Sequence, residues 1–194
     1  MNLPNRLTLL RIVLVPLYMV LMVVEFPFHY VAALAVFGAA SLTDYFDGQI
    51  ARSRGLVTNL GKFLDPIADK LLTTAAFLVF LAQGYVDVWA VILIMAREFM
   101  VTSVRLMAAG GGTVVAASFA GKLKTVAQYI AIIAMMVALQ WSEICAAYLP
   151  TLSPLWHIVP IVVAWVFIWI SVVLTVVSGV QYFWQFRHYF TEDN

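Results

Sequence analysis

Six long, predominantly apolar segments follow one another along this chain, at 7–26, 30–50, 61–82, 88–109, 123–139 and 155–182. A hydrocarbon core of roughly 30 Å takes about 20 apolar residues of helix to cross. Inside it every backbone N–H and C=O must find a partner within the protein, which leaves helices as the way for segments of this length to span. The pattern predicts an all-α integral membrane protein with six transmembrane helices, folded as a single domain over residues 1–194. Composition agrees. Of 194 residues, 64% are hydrophobic and 11% charged, and the mean hydropathy is +0.97, too little charge to clothe a water-facing surface. Arg11 interrupts the first apolar run and no small-residue cleavage site follows Val24, so 7–26 reads as a retained span rather than a signal peptide.

The connections carry charge unevenly. Residues 27–29, 83–87 and 140–154, read as loops, hold no Lys or Arg, whereas Arg6, Arg52, Arg54, Lys62, Lys122, Lys124 and Arg187 gather on the other side. The positive-inside rule then places both termini, and the loops after the second and fourth spans, in the cytoplasm. Trp141, Trp156 and Trp184 sit near span ends, where indole rings anchor at the interface. A formal net charge of +1 provides no basic surface for a nucleic-acid partner. The single cysteine, Cys145, excludes an internal disulfide and reads as a packing residue. His29, His157 and His188 fall at span edges and do not suggest a metal site. Gly110, Gly111 and Gly112 read as a turn after the fourth span.

The costly residues are clustered. Four of the six aspartates, Asp44, Asp47, Asp65 and Asp69, lie at the end of the second span and the start of the third, and ionisable groups at membrane depth mark function. At about 100° per residue, Asp44, Asp47, Gly48 and Ala51 share one sector of a helix, and Gly61, Asp65 and Asp69 share a similar one on the next. If those faces oppose, four carboxylates converge beside small residues that leave room for a ligand. Four such anions do not stay ionised together in a low-dielectric site without counter-ions. All-oxygen donors favour hard cations such as Mg²⁺ or Mn²⁺, and two divalent ions balance four carboxylates. The competing reading is capping, or pairing with Arg52, Arg54, Lys62 and Lys70. A helix C-terminus disfavours anions, which weighs against capping by Asp44 and Asp47.

The run Asp44-Tyr45-Phe46-Asp47-Gly48-Gln49-Ile50-Ala51-Arg52, then eight residues, then Gly61-Lys62-Phe63-Leu64-Asp65-Pro66-Ile67-Ala68-Asp69, resembles the signature of the CDP-alcohol phosphatidyltransferase family. The resemblance implies the six-helix fold of that family, two divalent cations (Mg²⁺ or Mn²⁺), a homodimer and an active site facing the cytoplasm of a bacterial inner membrane. It implies attack by an alcohol on CDP-diacylglycerol with loss of CMP. Asp44, Asp47, Asp65 and Asp69 are then metal ligands, with Asp69 also the general base. Gly48, Ala51, Arg52, Thr58 and Gly61 are then the CDP-lipid site. Leu3-Pro4-Asn5, Leu7-Thr8, Arg11, Ala96-Arg97-Glu98 and Gly121-Lys122-Leu123-Lys124-Thr125 are similar to members of the family whose acceptor is glycerol 3-phosphate.

A phosphorylated acceptor needs cations. Arg105, Lys122 and Lys124 lie near the ends of the fourth and fifth spans, suited to a phosphate of about −2 charge or, equally, to anchoring at the membrane surface. Arg97 fits either that pocket or a pair with a carboxylate on another span, since its sequence neighbour Glu98 should not face it. Inositol phosphate and phosphatidylglycerol remain alternative acceptors; serine and choline-like alcohols are disfavoured by the basic set. An acidic membrane cluster also suits a divalent-cation transporter, but the repeats and broken helix pairs common in transporters are absent from the sequence.

Overall fold

A computed structural model describes residues 3–54, 59–110 and 119–186, with side chains over 6–44, 67–68, 70–105 and 119–185. Among these residues every regular element is helical: α1 Leu3–Val23, α2 His29–Arg54, α3 Asn59–Ala82, α4 Val88–Gly110, α5 Phe119–Tyr148 and α6 Leu155–Phe186. Each apolar segment expected from the sequence overlaps one helix. Three, over Arg6–Val23, Phe119–Tyr148 and Leu155–Gln185, are long and apolar enough to cross a membrane. The other three carry polar side chains within their runs, Asp44 in α2, Lys70 in α3, and Arg97, Glu98 and Arg105 in α4.

Local chemistry sets the helix ends. Gly84 leaves α3 at φ +79°, and Tyr85 N–H donates to Phe80 C=O while Gly84 N–H donates to Leu81 C=O. That pair of bonds is the glycine-terminated C-cap that satisfies the last carbonyls. Asp87 then precedes α4, and its C=O accepts from Ala90 and Val91, as an N-cap residue does. One expectation is corrected: 140–154 is not all loop, because α5 continues to Tyr148. No Gly or Pro interrupts it before Pro150, and the residue preceding a proline is the one driven out of helix. Gln140 also works inside the bundle, its Oε1 accepting from Val31 N–H of α2 at 3.2 Å.

α1 packs on α2 and α3, α5 lies along α6, and α4 crosses α6. Tyr18, Phe37, Phe77, Phe80, Met135 and Ile168 are fully buried where these helices meet, and Cys145 is fully buried too. The polarity of α6 is turned inward. Ser171, Thr175 and Ser178 are 0% exposed while Val166, Val173, Val177 and Val180 face outward. Lipid gives helices no hydrophobic reason to associate, so small residues and interhelical hydrogen bonds hold them. Gln128 of α5 donates to Thr175 at 3.2 Å, and Arg97 of α4 donates to Ser178.

Gly179 makes the α4–α6 approach possible: a Cβ there would stand 3.1 Å from Arg97 Cγ and 3.5 Å from Met100 Cε. Gly179→Leu is expected to cost about 1–3 kcal/mol through overpacking, read as a lower thermal midpoint in detergent. An unchanged midpoint would mean that α4 and α6 do not meet at this position.

Candidate active site

The four aspartates occupy the helices on which the sequence placed them. α2 runs unbroken to Arg54 and α3 starts at Asn59, so positions 44 and 47 sit turns before a helix end and none of the four is a terminal cap. Thr58 lies outside the described residues, as do the side chains of Asp47, Gly48, Ala51, Arg52, Gly61, Asp65 and Asp69. Asp44 is described, and one of its partners was not among those considered from the sequence. Arg11 of α1 places Nη1 2.7 Å from Asp44 Oδ1, with Arg11 2% and Asp44 40% exposed in their side chains. A carboxylate offers about four lone-pair sites, so Arg11 and a cation can share Asp44, which therefore fits a metal ligand. Among the described residues no three His, Cys, Asp or Glu side chains gather.

The expected acceptor residues do come together. Arg105, Lys122 and Lys124 line one cavity of about 360 Å³ between α3, α4 and α5, joined there by Lys70, Arg97 and Glu98. Arg105 Nη2 donates to Tyr182 OH at 2.6 Å, and its guanidinium lies over the Tyr182 ring, 5.4 Å from the centroid. Its Nε–H is buried and has no partner among the described residues. Lys122 is exposed at the rim. Lys124 is 5% exposed and donates to Glu98 Oε1. A second cavity, of about 290 Å³, is lined by Glu25, Phe28, Gln140 and Glu143 with no Lys or Arg. Its sign is wrong for a phosphate.

Lys70 was not foreseen as a member of the cationic cavity, whereas Arg97 was one of the residues considered for it. Lys70 hydrogen-bonds Thr102 Oγ1, donates to Glu98 C=O at 3.1 Å and stands 3.6 Å from Glu98 Oε2. Glu98 thereby ties α3, α4 and α5 together. Arg97 lines the cavity and also reaches its sequence neighbour, Nη1 to Glu98 Oε1 at 3.5 Å. That corrects the expectation that adjacent positions stay apart: the two Cβ atoms diverge, but a guanidinium on three methylenes spans the difference. The available signal was Glu98 itself, since an anion within an apolar helix calls for cations on neighbouring spans.

Known proteins resemble this chain along most of its length. A family model described as CDP-alcohol phosphatidyltransferase matches residues 1–177. A CDP-diacylglycerol–glycerol-3-phosphate 3-phosphatidyltransferase of Bacillus subtilis (strain 168) is 42% identical over 94% of this chain and 93% of its own. A protein of the same name from Rickettsia bellii is 36% identical over 97% of both chains. A probable phosphatidylglycerophosphate synthase of Mycobacterium tuberculosis (strain CDC 1551 / Oshkosh) is 39% identical over 93% of this chain and 79% of its own. With a family match across nearly all of its length, and relatives of this identity along it, the chain belongs to the CDP-alcohol phosphatidyltransferase family.

Proposed function

We propose that this protein transfers the phosphatidyl group of CDP-diacylglycerol to sn-glycerol 3-phosphate, giving phosphatidylglycerol phosphate and CMP. The observation that carries the acceptor is the cavity shared by Lys70, Arg97, Arg105, Lys122 and Lys124, with the buried Arg105 Nε–H left for an anion to accept. The names of the Bacillus and Rickettsia relatives agree with it. All six helices cross the inner membrane of a bacterium in this reading, with both termini and the site on the cytoplasmic side and a homodimer as the working unit. The absence of Lys and Arg from 27–29, 83–87 and 140–154 supports that orientation.

Asp44, Asp47, Asp65 and Asp69 would hold two divalent cations, Mg²⁺ or Mn²⁺, which when bound neutralise the pyrophosphate and acidify a nearby hydroxyl. Arg11 keeps Asp44 in place. Gly48, Ala51 and Gly61 leave room for the nucleotide, and Arg52 and Thr58 contact the pyrophosphate. The acceptor hydroxyl attacks the lipid-side phosphorus; that P–O bond forms as the bond to CMP breaks, and the proton passes to Asp69. Positions 69 and 70 lie about 100° apart around α3. One turn of helix can therefore serve the reacting centre through Asp69 and the acceptor cavity through Lys70.

Asp69→Asn should lower CMP release roughly a hundredfold or more while CDP-lipid binding stays measurable; near-normal release would remove Asp69 as the base. Chelation with EDTA should abolish turnover and added Mg²⁺ or Mn²⁺ restore it, whereas full activity in exhaustively chelated protein would end the two-cation reading. In a two-substrate titration, Arg105→Ala, Lys122→Ala and Lys124→Ala should each raise the glycerol 3-phosphate KM about tenfold, given about 1.5–3 kcal/mol for a charged hydrogen bond. The KM for CDP-diacylglycerol should move much less. Three unchanged acceptor KM values would return these residues to membrane anchoring.

A further inference from the structure

The acceptor cavity contains an anion of its own. The Glu98 carboxylate accepts from Lys124 through Oε1, stands 3.5 Å from Arg97 Nη1 through the same oxygen and faces Lys70 Nζ at 3.6 Å through Oε2. Glu98 is 15% exposed and Lys124 6% in their side chains. A carboxylate bridged by three cations on one wall of a cavity about 360 Å³ in volume takes the contacts that a bound phosphate would be expected to make. Five cations line the space and a phosphate monoester brings about two negative charges, so with ligand bound the cavity stays net cationic with or without Glu98. An incoming anion therefore competes with Glu98 for Lys124 and is repelled by it at short range.

We propose that Glu98 determines acceptor specificity, its carboxylate standing in for phosphate on Lys124 and Lys70 until a doubly charged phosphate monoester displaces it. The inference rests on the cavity's being the acceptor phosphate site. A monoanion offers Lys124 nothing that Glu98 does not already supply, so the exchange gives it no advantage. A dianion delivers twice the charge to each of the five cations and does gain. Glu98 thus sets a threshold that singly charged anions of the same shape fail to cross.

Methyl phosphate and methyl sulfate differ little in shape but carry about two charges and one at pH 8, above a phosphate monoester's second pKa of about 6. Isothermal titration of the purified protein in detergent with each, and with glycerol 3-phosphate as competitor, reads the threshold directly. Wild type should bind methyl phosphate in competition with glycerol 3-phosphate and bind methyl sulfate at least a hundredfold more weakly. Glu98→Gln should bind methyl phosphate several-fold more tightly, and its preference over methyl sulfate should shrink at least tenfold. Glu98→Asp, which keeps the charge but shortens its reach to Lys124, should move the preference the same way by less. An unchanged preference in folded variants, weaker methyl phosphate binding by Glu98→Gln, or failure of both variants to fold would make Glu98 a structural counter-ion and overturn the proposal. If wild type binds neither probe in competition with glycerol 3-phosphate, the acceptor-site reading itself falls.

Discussion

Lys124 reaches from α5 to the Glu98 carboxylate on α4, and the neighbourhood of the cavity is arranged around that contact. Both side chains are largely withdrawn from solvent, where removing one partner of an ion pair typically costs about 3–5 kcal/mol because the other charge stays behind unmatched. Lys70 brings in α3 and Arg97, through Ser178, brings in α6. Four helices are thus registered on one another by a charged cluster whose members could not each stand alone. Well-packed apolar residues could join helices with no desolvation cost, so stability alone is a weak reason to keep such a cluster. The proposed role of the cavity in receiving an anion would supply a stronger one.

A second charged contact organises the other half. Arg11 is 1% exposed and meets Asp44 across the α1–α2 seam, so a cation buried in the first helix fixes one of the four aspartate positions. α3 packs against both halves, touching α1 on one side and α4 and α5 on the other. The aspartate positions 65 and 69 and the cavity lysine at 70 lie on this one helix. Gln83, near its far end, donates to Met22 C=O of α1 at 2.7 Å, and the glycine cap at Gly84 closes it. The helix that would link the proposed reacting centre to the proposed acceptor cavity is secured at its far end.

Much of this was legible from the residues. The apolar segments located all six helices, and the aspartate spacing placed its four positions on two of them. Ends were less legible: α5 outruns its apolar stretch because Gln140, Trp141, Ser142 and Glu143 look like loop chemistry while offering no backbone reason to stop. The partners were harder still. Helical periodicity relates positions three or four apart, whereas Arg11 finds Asp44, and Lys70 and Lys124 find Glu98, on different helices. Sequence could say that Glu98 needed a cation; only packing chooses which.

Burial finally separates two roles that the charge pattern leaves equal. Lys and Arg near span ends serve topology by reaching water or headgroups, and a side chain closed inside the bundle cannot do that. Lys124 at 5% exposure and Arg97 at 7% are spent on neighbouring helices and the cavity. Lys122, exposed at the rim, can meet headgroups and an arriving anion alike. Arg105 lies between, its Nη2 committed to Tyr182 and its Nε–H buried with no partner among the described residues. A guanidinium placed only for orientation would gain nothing from burying a donor unpaired, since that forfeits about 1–3 kcal/mol of solvation. The unmet donor is a cost that a bound phosphate would repay, and it lies in the same cavity as the lysines held by Glu98.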